Sequence, residues 1–279
     1  MKIKILGTAA YERVPAMFCE CPICEYARQH GGKDVRTQAQ TLINEDLLVD
    51  FGQDNFPHSL QPGVNFRKVQ HVLITHNHAD HYMPQDFAMT NRPYGHNQID
   101  QAIRVYGGND CAEKYSATPD SPGKTEFVKV EAFQTFQAGN YTVTALPARH
   151  GTENPFVYVI RDGSKTLFYD NDSGIELDET YEFLGKSDFH FDAVICDCTN
   201  GVLHYDRVHS HKSLIDNQNH REKLKELGVV DENTTWIVTH FSHNGLVSAD
   251  RQPLHHEVFS KMAEEQGMLC AYDGIEIEI

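Results

Sequence analysis

His76-Asn77-His78-Ala79-Asp80-His81 follows directly on Val72-Leu73-Ile74-Thr75, an apolar run of β-type residues. Three imidazoles and a carboxylate therefore crowd a loop at the mouth of an expected strand. Neutral imidazole and carboxylate suit zinc, manganese or iron. His76 and His78, two apart, point the same way from an extended segment. Asp80 and His81, past the bend, can face a second ion. The stretch reads as a metal site.

Working outward, the chain has 279 residues, enough for one large domain with a substantial core or two modest ones. No Pro/Gly/Ser-rich linker, low-complexity tract or repeat divides it, so one domain over 1–279 is expected. The net charge of −16 argues against a broad basic surface for nucleic acid or acidic lipid. Residues 1–7 are too short and polar for a signal peptide and read as an edge strand. No apolar run approaches the ~20 residues that span a bilayer, so a soluble, cytoplasmic protein is expected. Three of the seven cysteines fall within six positions, which in a reducing compartment favours metal over disulfide.

Strands are expected at 2–7, 40–44, 47–50, 71–75, 103–106, 126–132, 141–146, 156–161, 166–170, 194–196, 236–239 and 274–279. Helical pattern covers 22–30, 54–61, 109–116, 176–185, 211–227 and 252–266. Strands come in runs and then alternate with helices, which implies an α/β fold of two mixed sheets with helices outside.

A two-metal site needs more ligands than one loop supplies. His150, Asp172 and His240 each follow an apolar strand, where a loop can bring them to a shared place. Asp170 is the alternative to Asp172. H-x-H-x-D-H, then a strand-end His, a strand-end Asp before Ser173-Gly174, and a late His resemble the metallo-β-lactamase superfamily over nearly the whole chain. The resemblance implies an αββα sandwich with a dinuclear site along one edge of its two sheets. It assigns His76, His78 and His150 to one metal and Asp80, His81 and His240 to the other. Asp172 would bridge both. Two ions ~3.5–4 Å apart can hold a hydroxide near neutral pH and polarise the bond it attacks, with no nucleophilic Ser or Cys.

Cys19-Glu20-Cys21-Pro22-Ile23-Cys24 is a C-x-C-x-x-C motif, a soft-metal corner short of a fourth ligand. His243, three residues after His240, is a natural donor. Cys196-Asp197-Cys198 reads as an alternating strand rather than a site. Val14-Pro15-Ala16 ahead of the cysteines, with Thr239-His240-Phe241-Ser242-His243, closely resembles PhnP-type phosphodiesterases, which open the five-membered ring of 5-phosphoribosyl 1,2-cyclic phosphate. That resemblance implies a structural zinc on Cys19, Cys21, Cys24 and His243, within a Cys-rich loop at 14–30. It also implies manganese or zinc as the catalytic pair, and a homodimer. A histidine on a late loop would contact the scissile phosphate. His211 best matches it, with His204 and His209 as rivals, and Asp80 and His211 are the residues expected to carry catalysis.

The segments 85–101 and 199–210 depart from that pattern and leave the substrate open. The expected partner is a small cyclic phosphodiester, without nucleic acid or membrane. Competing readings are a transfer-RNA 3′-processing nuclease, a lactone or ester hydrolase of the same superfamily, and a non-catalytic metal-binding module.

Overall fold

The computed structural model describes residues 1–96, 102–118, 123–205, 210–248 and 250–279. His209, one of the rival phosphate-contacting histidines, lies outside them. Among the described residues the chain builds two seven-stranded sheets. The first uses β1 (Lys2–Gly7), β2 (Gln40–Ile43), β3 (Leu47–Val49), β4 (His71–Leu73), β5 (Ile103–Gly107) and β6 (Thr125–Lys129). The second uses β7 (Thr135–Ala138), β8 (Tyr141–Pro147), β9 (Phe156–Asp162), β10 (Lys165–Asp170), β11 (Ala193–Asp197), β12 (Thr235–Thr239) and β13 (Leu269–Cys270). A last strand, β14 (Ile275–Glu278), returns to the first sheet. The helices are α1 (Pro22–His30), α2 (Asn55–Ser59), α3 (Asn109–Ser116), α4 (Asp178–Lys186), α5 (Leu214–Glu226) and α6 (His256–Glu265).

The two sheets share one plan. In the first, β14-β1-β2-β3 pair antiparallel and β3-β4-β5-β6 parallel. In the second, β7-β8-β9-β10 pair antiparallel and β10-β11-β12-β13 parallel. Short hairpins suffice for the antiparallel half, whereas the parallel half needs long crossovers, here carrying helices. Parallel strands all end on the same side. In the second sheet the loops leaving β10 and β12 therefore emerge together, where ligands bind in open α/β sheets, and the loop leaving β4 of the first sheet meets them through His76 and Asp172.

Strict alternation places the core. Leu73, Tyr169, Ile195 and Ile237 point between the sheets. Val72 and Ile74 face outward on the first sheet with Tyr82 and Phe87. Phe168, Val194 and Val238 face outward on the second, against Ile23 and Ala27 of α1, Leu224 of α5 and Phe259 of α6. The result is the αββα sandwich of the metallo-β-lactamase fold. Phe168 and Ile237 are fully buried, each contributing roughly 1.5–3 kcal/mol by leaving water. Among the described residues no helix is long and apolar enough to cross a membrane.

Three expectations need correcting. β1 is not an edge strand, because β14 pairs outside it with Ile3 opposite Ile277 and Ile5 opposite Ile275. β7 and β13 escape the sequence reading because they are short edge strands with little pattern. α5 starts at Leu214, not 211, because Ser213 and Asp216 close a reciprocal capping box. His211 consequently sits on the loop ahead of the helix.

Candidate metal centre and cleft

Asp172 is the hub. The chain leaves β10 at Asp170 and turns at Asp172 with φ 51°, a left-handed conformation that costs a non-glycine residue energy and recurs at functional turns. The turn sends its carboxylate into a ring of histidines. Oδ2 lies 3.3 Å from His76 Nε2, 3.1 Å from His81 Nε2 and 3.6 Å from His240 Nε2. Oδ1 lies 3.3 Å from His150 Nδ1 and 3.1 Å from His211 Nδ1.

Two ligand groups share that carboxylate. His76, His78, His150 and Asp172 form one, and Asp80, His81, Asp172 and His240 the other, with the donor atoms of each group within 4.8 Å of one another. These are the seven residues read from the sequence, and Asp172, not Asp170, joins them. Asp170 is fully buried two residues earlier, 2.8 Å from Lys212 Nζ. His78 is exposed and His150 half-buried, so the first group is open to solvent while the second is buried.

The histidines are aimed by residues that the sequence reading did not single out. Asp50, also left-handed with φ 68°, accepts a hydrogen bond from His81 Nδ1 at 2.7 Å and from the Thr75 hydroxyl at 2.9 Å. The Thr199 hydroxyl donates to Asp197 Oδ2 at 2.7 Å and stands 2.7 Å from His240 Nδ1. With their Nδ1 atoms so occupied, His81 and His240 turn Nε2 inward, 3.2 Å apart. Carboxylates and hydroxyls behind histidine ligands fix ring orientation and tautomer. Two facing ring nitrogens, with the Asp172 carboxylate and His150 Nδ1 converging beside them, make a donor set that fits divalent cations.

The same carboxylates set the basicity of the rings. Burial alone would push His81 down, but Asp80, Asp50 and Asp172 hold it well above the usual imidazole range. Burial dominates at His76 and drives it well below that range. At Asp172 burial is outweighed by His240, His211 and His81, which keep the carboxylate ionised.

Asp197 corrects the reading of Cys196-Asp197-Cys198 as mere strand alternation. It closes β11 beside Thr239 of β12, and its Oδ2 lies 3.1 Å from His211 Nδ1 and 3.3 Å from His240 Nδ1. The strand-end rule that finds Asp172 and His240 finds this carboxylate too. His211 is thus wedged between Asp172 and Asp197 at the cleft wall. Burial lowers its basicity, yet Asp197 and Asp172 raise it to about 11, so the ring carries a proton. His204 stands away from the cluster with Nδ1 3.1 Å from Asp216 Oδ1. The cleft over the metal groups holds about 570 Å³ and is walled by Tyr11, Glu12, His211 and Asn244.

Cys19, Cys21, Cys24 and His243 form a separate cluster, their donor atoms also within 4.8 Å. His243 Nδ1 is 3.3 Å from Cys21 Sγ and 3.5 Å from Cys19 Sγ. All three thiols are free. Burial pushes Cys24 up to about 12, whereas hydrogen bonds from Cys21 draw Cys19 down. Three thiols and one imidazole converging on a point suit a tetrahedral zinc.

A family model described as a β-lactamase superfamily domain matches residues 46–241, well over half of the chain. A ribonuclease Z of Bradyrhizobium diazoefficiens is 26% identical over 128 residues, covering 43% of this chain and 41% of that protein. The chain thus spans less than half the length of the curated relatives it matches. Among solved structures, a diphosphatase from the PhnP family superposes with a TM-score of 0.72 at 21% identity, covering 100% of this chain and 97% of the other. Zinc-bound PqqB from Methylobacterium extorquens gives 0.73 at 17% identity with both chains fully covered. At such identities the two structures speak to the fold.

Proposed function

This chain belongs to the β-lactamase superfamily, and from that premise we propose that it is a dinuclear metal-dependent phosphodiesterase acting on a small cyclic phosphodiester such as 5-phosphoribosyl 1,2-cyclic phosphate. The observation that carries the reading is His211, whose Nδ1 is held 3.1 Å from both Asp172 and Asp197 at the wall of the cleft. Opening a cyclic phosphodiester releases an alkoxide, a poor leaving group that needs a proton as the phosphorus–oxygen bond breaks.

His76, His78 and His150 would hold one manganese or zinc ion, Asp80, His81 and His240 the other, and Asp172 would join both. Such a pair supplies Lewis-acid polarisation and a nucleophile at neutral pH. The chain's own part is positional and protic. Asp50 and Thr199 keep His81 and His240 aimed, Asp197 orients His211, and His211 gives its proton to the departing sugar oxygen. Water thereby adds across one ring phosphorus–oxygen bond, leaving a phosphomonoester and a free hydroxyl. The Cys19, Cys21, Cys24 and His243 cluster would carry a zinc with a structural role.

The test is a phosphorus NMR time course on 5-phosphoribosyl 1,2-cyclic phosphate with manganese-loaded protein and Asp80→Ala as control. Asp80-dependent ring opening supports the reading. No opening, with an aryl phosphodiester still cleaved, keeps the chemistry and overturns the substrate. Silence on both overturns the phosphodiesterase reading and favours an ester hydrolase or a binding module.

The ribonuclease Z relative favours a second reading, a transfer-RNA 3′-processing nuclease. The net charge of −16 weighs against it, since duplex RNA needs cationic contacts. Cleavage of a precursor transfer RNA at physiological salt would decide for the nuclease.

A further inference from the structure

Lys212 follows His211 directly and is fully buried. Its ammonium has three protons and three oxygens to give them to: Asp170 Oδ1 at 2.8 Å, the Ser173 carbonyl at 2.9 Å and the Gly174 carbonyl at 2.8 Å. Those acceptors flank Asp172 on both sides. The Lys212 backbone is tied as firmly, its N–H donating to Asp197 Oδ1 at 2.8 Å and its carbonyl accepting from Asn200 N–H at 3.0 Å. One residue therefore grips the turn that presents Asp172, the carboxylate that orients His211, and, through the adjoining peptide, His211 itself.

The surroundings explain why a lysine stands there. Asp170, Glu176 and His220 converge in the buried space beneath the turn, their donor atoms within 4.8 Å of one another. Lys212 Nζ sits 3.6 Å from Glu176 Oε1, and His220 Nε2 lies 3.2 Å from Asp170 Oδ2. The Tyr181 hydroxyl is 2.7 Å from His220 Nδ1 and links the group to α4. The ammonium is thus an internal cation among carboxylates that could not otherwise be buried. The left-handed turn at Asp172 lies past the end of β10, tied on one side to Arg149, whose carbonyl accepts from Gly174 N–H at 3.1 Å and whose N–H donates to the Ser173 hydroxyl at 3.1 Å. Its two following carbonyls end on Lys212.

We infer that Lys212 is a positioning residue that locks Asp172 in its bridging conformation and sets the separation between Asp172 and the His211 imidazole. The inference rests on the reading of Asp172 as the shared metal ligand. It predicts that loss of Lys212 loosens both metal retention and proton delivery, beyond any loss of stability.

Lys212→Met alone leaves the buried Asp170 without its cation, facing His220, and can fail to fold, so the decisive protein is the double variant Lys212→Met/Asp170→Asn, which removes the pair together. Thermal midpoint, zinc affinity by competition with a fluorescent chelator, and kcat and KM on bis(p-nitrophenyl) phosphate and on a cyclic alkyl phosphodiester, whose alkoxide needs the His211 proton, are read on it, with Asp172→Ala alongside. The expected result is a folded double variant with zinc bound at least tenfold more weakly, kcat down tenfold or more and KM changed less than threefold. A folded double variant with native zinc affinity and kcat overturns the inference, as does a double variant that cannot fold, which assigns Lys212 to the core alone. Native zinc affinity in Asp172→Ala instead removes the underlying dinuclear reading, a failure that the control separates from the first.

Discussion

His240 and His243 share one turn after β12 and serve two different clusters: His240 Nε2 lies 3.2 Å from His81 Nε2, whereas His243 Nδ1 lies 3.3 Å from Cys21 Sγ. His240 adopts φ 62°, and the Ser242 hydroxyl between the two donates to Glu12 at the cleft rim. The thiol cluster therefore fixes one end of a strained segment whose other end is a ligand of the proposed catalytic pair.

Cys21→Ser tests that coupling. The variant should lose one metal ion per chain by elemental analysis, melt at a lower temperature and turn over about tenfold more slowly, an indirect loss of the size seen when support behind a ligand is removed. Unchanged rate and melting temperature would separate the two sites and sink the idea.

His211→Ala probes the proton. Loss of a positioned general acid costs about 10²–10⁴-fold, and only where the leaving oxygen needs protonation. The variant should fall by that factor on an alkyl or ribosyl cyclic phosphate but by less than tenfold on p-nitrophenyl diesters, whose leaving group departs as a stable anion. Equal losses on both would assign His211 to metal geometry instead.

The H-x-H-x-D-H run, His150 and His240 are legible in the sequence because each is a ligand-type residue behind an apolar strand. The choice of Asp172 over Asp170, which ends β10, rests instead on the family resemblance at Ser173-Gly174. Asp50, Thr199 and Lys212 are not legible. Asp50 meets His81 across 31 positions and Lys212 meets Asp170 across 42, and no local pattern distinguishes such a residue from an ordinary strand-end or loop polar group. Asp197 was readable by the strand-end rule and was hidden by the cysteines on either side. The sheets follow from alternation, while β7 and β13 and the pairing of β14 outside β1 depend on partners far along the chain.

Gly52→Ala tests how closely the backbone supports the metal loop. A Cβ on Gly52 would stand 1.8 Å from the Asp80 carbonyl oxygen, a contact only a shift of the Asp80 backbone can relieve. Phe51, next to it, donates its N–H to the His81 carbonyl at 2.8 Å, so both ligands move together. Stability should drop by about 1–3 kcal/mol from overpacking, and metal content after chelator treatment should fall below that of the native protein. An alanine protein that retains its metal against chelator as the native protein does would show the loop to be compliant.

His58 sets an acid limit on stability away from the metals. It is 1% exposed in α2, with Nδ1 2.7 Å from Gln40 Oε1 of β2 and Nε2 2.7 Å from Thr37 Oγ1 of the loop that leads into β2. Burial pushes it down to about 4, against 6.5 for the free ring. The unfolded chain therefore takes up the proton first, between pH 6.5 and 4, while the folded ring stays neutral. The stability linked to His58 is present in full above pH 6.5 and is lost as pH falls toward 4, about 2 kcal/mol of it by pH 5. Urea midpoints at pH 7 and pH 5 measure the loss. His58→Gln should be less stable at pH 7 yet lose about 2 kcal/mol less than the native protein between the two pH values. Equal losses in both proteins would place the acid sensitivity elsewhere, with His256, pushed down to about 4 by burial and the Arg36 charge, the next group to substitute.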